Sequence, residues 1–314
     1  MNEKKLAVVA LGGNALVIDK NRKSIPDQFD AVKETVGHIA DMIEDGWQVV
    51  VTHGNGPQVG FILRRSELAL HELHPVPLDY CGADTQGAIG YMLQKALWNE
   101  FNKRSLDLQA VTVVTQVEVS AEDPAFSKPS KPIGSFLDEE TAKERMKNGQ
   151  TFVEDAGRGW RQVVPSPKPM RIVEVDAIQE LVENNFIVVA VGGGGIPVVK
   201  RPSGFIRGIE AVIDKDFASG LLAKLIDADL LLISTAVEKV AINFNQSNQQ
   251  WLDQITLAEA EKYIEEGHFA PGSMLPKMQA IVKFIKETGK KALITNPSNM
   301  KLALVGKTGT WIIP

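Results

Sequence analysis

Four consecutive glycines, Gly192, Gly193, Gly194 and Gly195, stand directly behind the apolar run FIVVAV at 186–191. A continuous apolar run bounded by turn residues reads as a strand buried on both faces, the kind found in parallel sheets covered by helices. The glycines leave bare backbone N–H groups able to fold around something small and anionic; a flexible turn that needs no side chains is the plainer alternative. The pattern occurs three times. The apolar run at 6–11 ends in Gly12, Gly13 and Asn14, and the run at 49–52 leads into His53, Gly54, Asn55, Gly56 and Pro57. Such turns should project from the carboxyl ends of strands, where ligands of open α/β sheets bind and where helix N-termini favour anions.

The remaining pattern fits that reading. Phe29, Val32, Val36, Ile39, Ala40 and Ile43 recur at helical spacing across 27–44, with Pro26 and Asp27 as a start signal and Gly46 as a stop. Helices are also expected at 59–70, 83–103, 176–183 and 217–226, and on both sides of 267–277. Further strands are expected at 111–115, 230–234, 292–295 and 311–313, with a short extended piece at 240–244 and a hairpin around Pro202, Ser203 and Gly204. The alternation predicts a three-layer α/β/α sandwich with an open, mostly parallel sheet, built as one domain over 1–314. The stretch 120–168 departs from it, with Pro124, Pro129, Pro132, Pro165 and Pro167, many charges and one short polar helix at 138–147. Insertions of this length usually act as lids or binding loops. Phe126, Phe136, Phe152 and Trp160, spaced through it, favour a small inserted subdomain over a disordered linker.

With 314 residues, 44% of them hydrophobic, the chain can build a large core without disulfide or metal staples. A net charge of -5 gives no electrostatic footprint for nucleic acid. No apolar run reaches the roughly 18 residues of a membrane span, and the N-terminal run is short for a secretion signal. Cys81 stands alone, which excludes an internal disulfide, suits a reducing compartment and reads as a small buried residue; a cytoplasmic protein is expected. His71 and His74 lack supporting ligands for a metal. The dinucleotide fingerprint fails at Gly54, Gly56 and Gly60, where one residue too many separates the last two glycines. The GKT at 306–308 is no P-loop, because Lys301 stands where its first glycine belongs.

Cationic residues supply the chemistry. Lys215 lies between Asp214 and Asp216 after the apolar Ala211, Val212 and Ile213, a setting in which an unpaired ammonium is costly. Lys277 follows GSMLP, a helix-start signature with Ser273 as the expected cap. Lys131 lies in KPSKPIG of the insertion, and Arg158 with Arg161 form either a phosphate clamp or an ordinary surface turn. Lysines, bare amides and no obvious nucleophile point to phosphoryl transfer, which asks mainly for positioning and charge neutralisation. A non-catalytic nucleotide sensor is the rival of another class.

Taken together, ALGGNA, THGNGPQVG, KPIG, EDAGRGWR, VVPSPKP, GGGGIPV, AVIDKDFAS and GHFAPGSMLPK resemble carbamate kinases, in order and over essentially the whole chain. The wider group is the amino-acid kinases, which usually carry a lysine just before the first glycine pair, where this chain has Ala10 and Leu11. The resemblance implies reversible phosphoryl transfer between ATP and carbamate with Mg2+, a homodimer, and a mobile protruding subdomain. It implies that Lys215 stabilises the transferred phosphoryl group, that Lys277 contacts nucleotide phosphates and that Lys131 reaches in from the subdomain. Asp214 and Asp216 would orient the lysines and magnesium-bound water, with no metal ligand from side chains. Gly12, Gly13, Asn14, Gly54, Asn55, Gly56, Gly193 and Gly194 would line the carbamate and phosphoryl pocket. Thr235, Ala236 and Val237, with Met274 and the region from Phe269, would offer an apolar slot for adenine. Two residues depart from the family pattern: Ala236, where relatives often have Gly or Asp, and Asp84, where Met is commoner and where a helix start would favour a carboxylate.

Overall fold

The computed structural model describes residues 4–13, 16, 22–147, 149–154 and 159–314. Its main sheet has eight strands. In spatial order they are Gln254–Thr256, Thr310–Ile313, Lys291–Thr295, Leu230–Ser234, Lys5–Leu11, Trp47–His53, Ile187–Val189 and Ala110–Thr112. All neighbours pair parallel except Lys291–Thr295 with Thr310–Ile313. The central strands carry side chains buried on both faces, which is why they read as unbroken apolar runs. One face, with Val8, Ala10, Val50, Leu231 and Ile233, packs under helices Lys215–Leu225 and Met274–Thr288. The other, with Val9, Leu11, Val51 and Leu232, packs under helices Ile25–Glu44 and Leu78–Arg104. The chain is therefore the α/β/α sandwich that the alternation predicts. Among the described residues no helix is long and apolar enough to cross a membrane.

Register aligns the carboxyl ends of the central strands. Thr295 pairs with Ser234, Ser234 with Leu11, and Leu11 with His53, so four strands end in one row. Every loop leaving that row opens on the same side of the molecule.

Several boundaries differ from the sequence reading. The helix expected at 59–70 spans Gly56–Leu68, so the glycine turn after His53 becomes a helix N-terminus at once. The strand expected at 186–191 stops at Val189, and Val191 turns at φ 53° into a 3-10 turn over Gly192–Gly194. The helix expected from 83 starts at Leu78, with Pro77 as its N-cap. Asp84 is thus the seventh helical residue, exposed and beyond the first turn, so the dipole argument for a carboxylate there does not hold.

Three smaller sheets lie outside the apolar runs. One joins Ile206–Gly208, Ile196–Lys200, Gln116–Glu118 and Arg171–Ile172, with the first two forming the hairpin around Gly204. Val240–Ile242 pairs with Gln250–Leu252. Within the insertion, Lys131–Leu137, Trp160–Val164 and Phe152–Glu154 form a three-stranded sheet, with the helix Glu139–Lys147 beside it.

Candidate active site

Asp216 is the electrostatic centre. It is the second residue of the helix Lys215–Leu225, whose N-cap is Asp214; Asp214 Oδ1 accepts the Asp216 N–H at 2.9 Å. Asp216 is 2% exposed, and each of its oxygens receives a different ammonium. Lys215 Nζ donates to Oδ1 at 2.6 Å, and Lys277 Nζ, from the helix Met274–Thr288, donates to Oδ2 at 2.8 Å. Lys131 Nζ donates to Asp214 Oδ2 at 2.8 Å. Burial alone would raise the Asp216 carboxyl; Lys215 and then Lys277 outweigh it and hold the group down at about 2. Burial also draws the Lys215 ammonium below its ordinary range, with Lys277 adding to the effect and Asp216 opposing it.

Glycine turns form the walls. A Cβ on Gly54 would sit 3.4 Å from Lys215 Cδ, so the backbone packs directly on that lysine's stem. Gly12 donates its N–H to Ser234 O at 2.9 Å, and a Cβ on it would lie 2.8 Å from that oxygen. Gly193, at φ 67°, approaches Asn55 so closely that a Cβ would fall 2.1 Å from Asn55 Nδ2. Gly194, at φ 95°, backs onto Ile213 O, just before Asp214. The tetraglycine turn therefore touches both the turn after His53 and the segment that carries the aspartates. Asn55 Nδ2 donates to Thr85 Oγ1 at 2.9 Å and gives no cap bond to the helix it begins. That leaves the first-turn amides of Gly56–Leu68 uncapped by a side chain, a suitable cradle for an anion.

Buried polar residues behind the walls hold them in place. Gln86 Nε2 donates to Thr115 O and to Gly192 O, each at 3.0 Å, while Gln86 Oε1 accepts the Thr115 N–H at 2.7 Å. Thr115 Oγ1 accepts the Val191 N–H at 3.0 Å, which fixes the left-handed residue before the glycines. Thr52 and Ser219 hydroxyls meet at 2.6 Å, and Ser219 Oγ donates to Lys215 O at 2.6 Å. His53 is 1% exposed; its Nδ1 lies 3.0 Å from Gly54 O, and a Cβ on Gly192 would meet its Nε2 at 2.5 Å. Burial lowers the His53 imidazole to about 4, helped by Lys215, with only the Gly54 carbonyl opposing, so the ring is neutral.

The amino acid kinase family model matches residues 5–296. The carbamate kinase-like protein YqeA of Escherichia coli (strain K12) is 53% identical over 312 residues, covering 98% of this chain and 99% of that protein. The carbamate kinase of Clostridium perfringens is 51% identical over 312 residues, covering 98% and 99%. The carbamate kinase from Giardia lamblia bound to AMP-PNP superposes with a TM-score of 0.94 at 42% identity, covering 100% of this chain and 99% of that one. The chain belongs to the amino acid kinase family, with carbamate kinases among its relatives over nearly its whole length.

Within this family member, Lys131, Lys215, Lys277, Asp214 and Asp216 form one cluster, bordered by Gly54 and, through Ile213, by Gly194. Asn14 and Arg158 lie outside the described residues. Trp160 and Arg161 open a strand, and the Arg161 guanidinium lies over the Phe136 ring at 5.3 Å, so it stacks within the insertion. Ser273 is the N-cap of Met274–Thr288 by position, but its side chain makes no cap bond; φ -131° and ψ -86° turn its hydroxyl back to Ala270 O at 3.3 Å. Thr235 and Val237 are half-buried around an exposed Ala236 at the end of Leu230–Ser234. Phe269 is 3% exposed and belongs to the core, with Met274 packed at its margin. Cys81 is fully buried and its thiol is pushed up to about 11, by burial first and by Asp84 and Asp79 next, which suits a packing residue. Sequence reasoning gave no role to His53, Gln86, Thr115 or Ser219; their only signal was polarity at positions the periodicity places inside.

Proposed function

We infer that this chain is a phosphotransferase that moves a phosphoryl group reversibly between ATP and carbamate, giving ADP and carbamoyl phosphate. The observation that carries this reading is the cluster of three lysines on two aspartates at the edge of the glycine turns. It is supported by half identity to proteins named carbamate kinase. In the forward direction a carbamate oxygen bonds to the γ-phosphorus, the bond from phosphorus to the bridging oxygen breaks, and the electron pair leaves with ADP. The acceptor is already an anion, so no base is needed, and both aspartates are engaged by cations in any case. Lys215 and Lys277 stabilise charge on the transferring group and the nucleotide phosphates, and Lys131 closes over it from the insertion. Gly12, Gly13, Gly54, Gly56, Gly193 and Gly194 bring backbone to an acceptor too small to be held by long side chains. Thr235, Ala236, Val237 and Met274 border the nucleotide.

A magnesium ion carried on the nucleotide would neutralise phosphate charge. Among the described residues no three carboxylate, imidazole or thiol groups come together to hold a metal. All four oxygens of Asp214 and Asp216 already accept hydrogen bonds from protein. The proposed ligands of that ion are nucleotide phosphates and water. The proposed assembly is a cytoplasmic homodimer: Tyr91 and Trp98, 64% and 55% exposed, lie seven residues apart on one helix next to the edge strand Ala110–Thr112. The proposed direction is ATP formation in breakdown of arginine, agmatine or purines.

Formation of ATP from ADP and carbamoyl phosphate with magnesium tests the activity, and absence of turnover would refute it. Lys215→Ala should lower kcat on the order of a hundredfold or more, as expected for a main electrostatic stabiliser. Two relatives are named only carbamate kinase-like. Another small carboxylate acceptor is therefore the second reading, and acetate, glutamate and similar acids tested in place of carbamate decide between them.

A further inference from the structure

Lys131 enters the site on the strand Lys131–Leu137 of the insertion, and the same strand is anchored to the body by Ile133. Residues two apart in a strand share a face. Ile133 is 7% exposed and clusters with Val164 of the paired strand and with Val59, Leu78 and Cys81 of the body. Next to it, a Cβ on Gly60 would be 3.6 Å from Gly134 Cα, so the two backbones nearly touch. Farther out, Arg145 of the helix Glu139–Lys147 pairs with Glu67 of the helix Gly56–Leu68. Arg64 Nη1 adds a bond to the other Glu67 oxygen at 3.1 Å. Burial would raise the Glu67 carboxyl, but Arg145 and then Arg64 hold it below its ordinary range.

Among the described residues these contacts do not form a continuous interface. A cleft of about 580 Å³, lined by Leu63, Ser66 and Leu70 from the body and by Thr141, Glu144 and Gln162 from the insertion, separates the surfaces around them. Packed interiors leave few voids larger than a water molecule. Among the described residues the apolar plug at Ile133, the Gly60–Gly134 approach and the ion pairs Arg145–Glu67 and Lys131–Asp214 thus surround an open cleft, so each of these few contacts weighs heavily in how the insertion is held.

We propose that Arg145 and Glu67 are positioning residues for Lys131: their ion pair latches the insertion onto the helix Gly56–Leu68 and so keeps the Lys131 ammonium at Asp214. The proposal rests on the phosphotransferase reading for its kinetic arm only. Arg145→Met and Glu67→Gln each release the latch while leaving Lys131 intact, and should lower kcat/KM for ATP formation about tenfold, with Arg145→Lys recovering most of the loss. Lys131→Met should cost on the order of a hundredfold. Adding Arg145→Met to it should cost nothing further, because the latch acts only through Lys131. Lys143→Met, which removes an exposed pair with Glu139 on the same helix, should leave the kinetics unchanged. A second arm needs no turnover: amide hydrogen exchange of 131–137 should quicken about tenfold in Arg145→Met with no change in global stability. Multiplied losses in the Lys131→Met, Arg145→Met double variant, or unchanged exchange at 131–137, overturn the latch. Inactive wild-type protein defeats the carbamate reading and leaves the exchange arm to decide the latch alone.

Discussion

Replacing His53 tests whether a buried neutral imidazole is part of what the site is built on. Its group titrates near 4 in the folded protein against 6.5 in an exposed chain. The unfolded chain therefore binds a proton between those values while the native protein does not, so stability from this group is complete above pH 6.5 and falls as pH drops toward 4. At about 1.4 kcal/mol per pKa unit, the loss is about 1 kcal/mol at pH 6, about 2 at pH 5 and about 3 at pH 4. In His53→Asn the amide nitrogen takes the place of Nδ1 and can still donate to Gly54 O, but nothing titrates. Urea unfolding of both proteins at pH 7, 6, 5 and 4 measures the difference, in which carboxylates and the other histidines cancel. The wild-type curve should fall by about 3 kcal/mol more than that of the variant by pH 4. Parallel curves would mean that the ring reaches water or a partner in the folded protein, and would refute its burial as a neutral group.

Asp216→Asn leaves Lys215 and Lys277 facing each other without a counter-charge, and should destabilise the protein by about 3–5 kcal/mol at pH 7. Denaturant titration checks this, and the gap to wild type should narrow as pH falls from 4 toward 2, where wild-type Asp216 itself takes up a proton. Gly193→Ala must place a methyl group 2.1 Å from Asn55 Nδ2 at φ 67°. Besides the roughly 1–2 kcal/mol of a left-handed alanine, it should break the Asn55–Thr85 bond and raise KM for carbamoyl phosphate. Gly13→Ala, with no atom of the described residues within 4 Å of its Cβ, should leave the melting temperature unchanged and act on KM alone.

What could be read in advance follows from the range of each interaction. The central strands were legible because both faces of 6–11, 49–52 and 230–234 are buried, leaving uninterrupted apolar runs. The glycine turns were legible because each follows its strand directly. The pairing of charges was not: Lys277 meets Asp216 across 61 residues and Lys131 meets Asp214 across 83. No local pattern encodes such a contact. Asp84 was misplaced because glycines at 82, 87 and 90 obscure the start of one long helix. Gly90 is there for packing, since a Cβ on it would strike Thr112 Cγ2 at 2.3 Å on the edge strand. The three strands of the insertion stayed hidden because Phe152–Glu154 buries only Phe152 and Trp160–Val164 buries only its last two residues, so neither gives an apolar run.

The charges of the site explain why its lysines can be held ready before any substrate arrives. Three ammonium groups face two carboxylates, so the cluster carries one positive charge in excess, and the neutral His53 beside Lys215 adds none. Without Asp214 and Asp216, three half-buried ammonium groups would repel one another and lose protons or swing out to water. With them, each ammonium stands within 2.8 Å of an oxygen and has protons left over, which the proposed mechanism assigns to the transferring group. A carboxylate that orients a cation yet leaves net positive charge lowers the reorganisation needed when phosphoryl charge develops. A third aspartate would neutralise the cluster and leave nothing to attract an anion. In the proposed mechanism the aspartates would tune how strongly the site attracts charge, and the glycine turns, by admitting backbone and no side chain, would limit which anion can reach it.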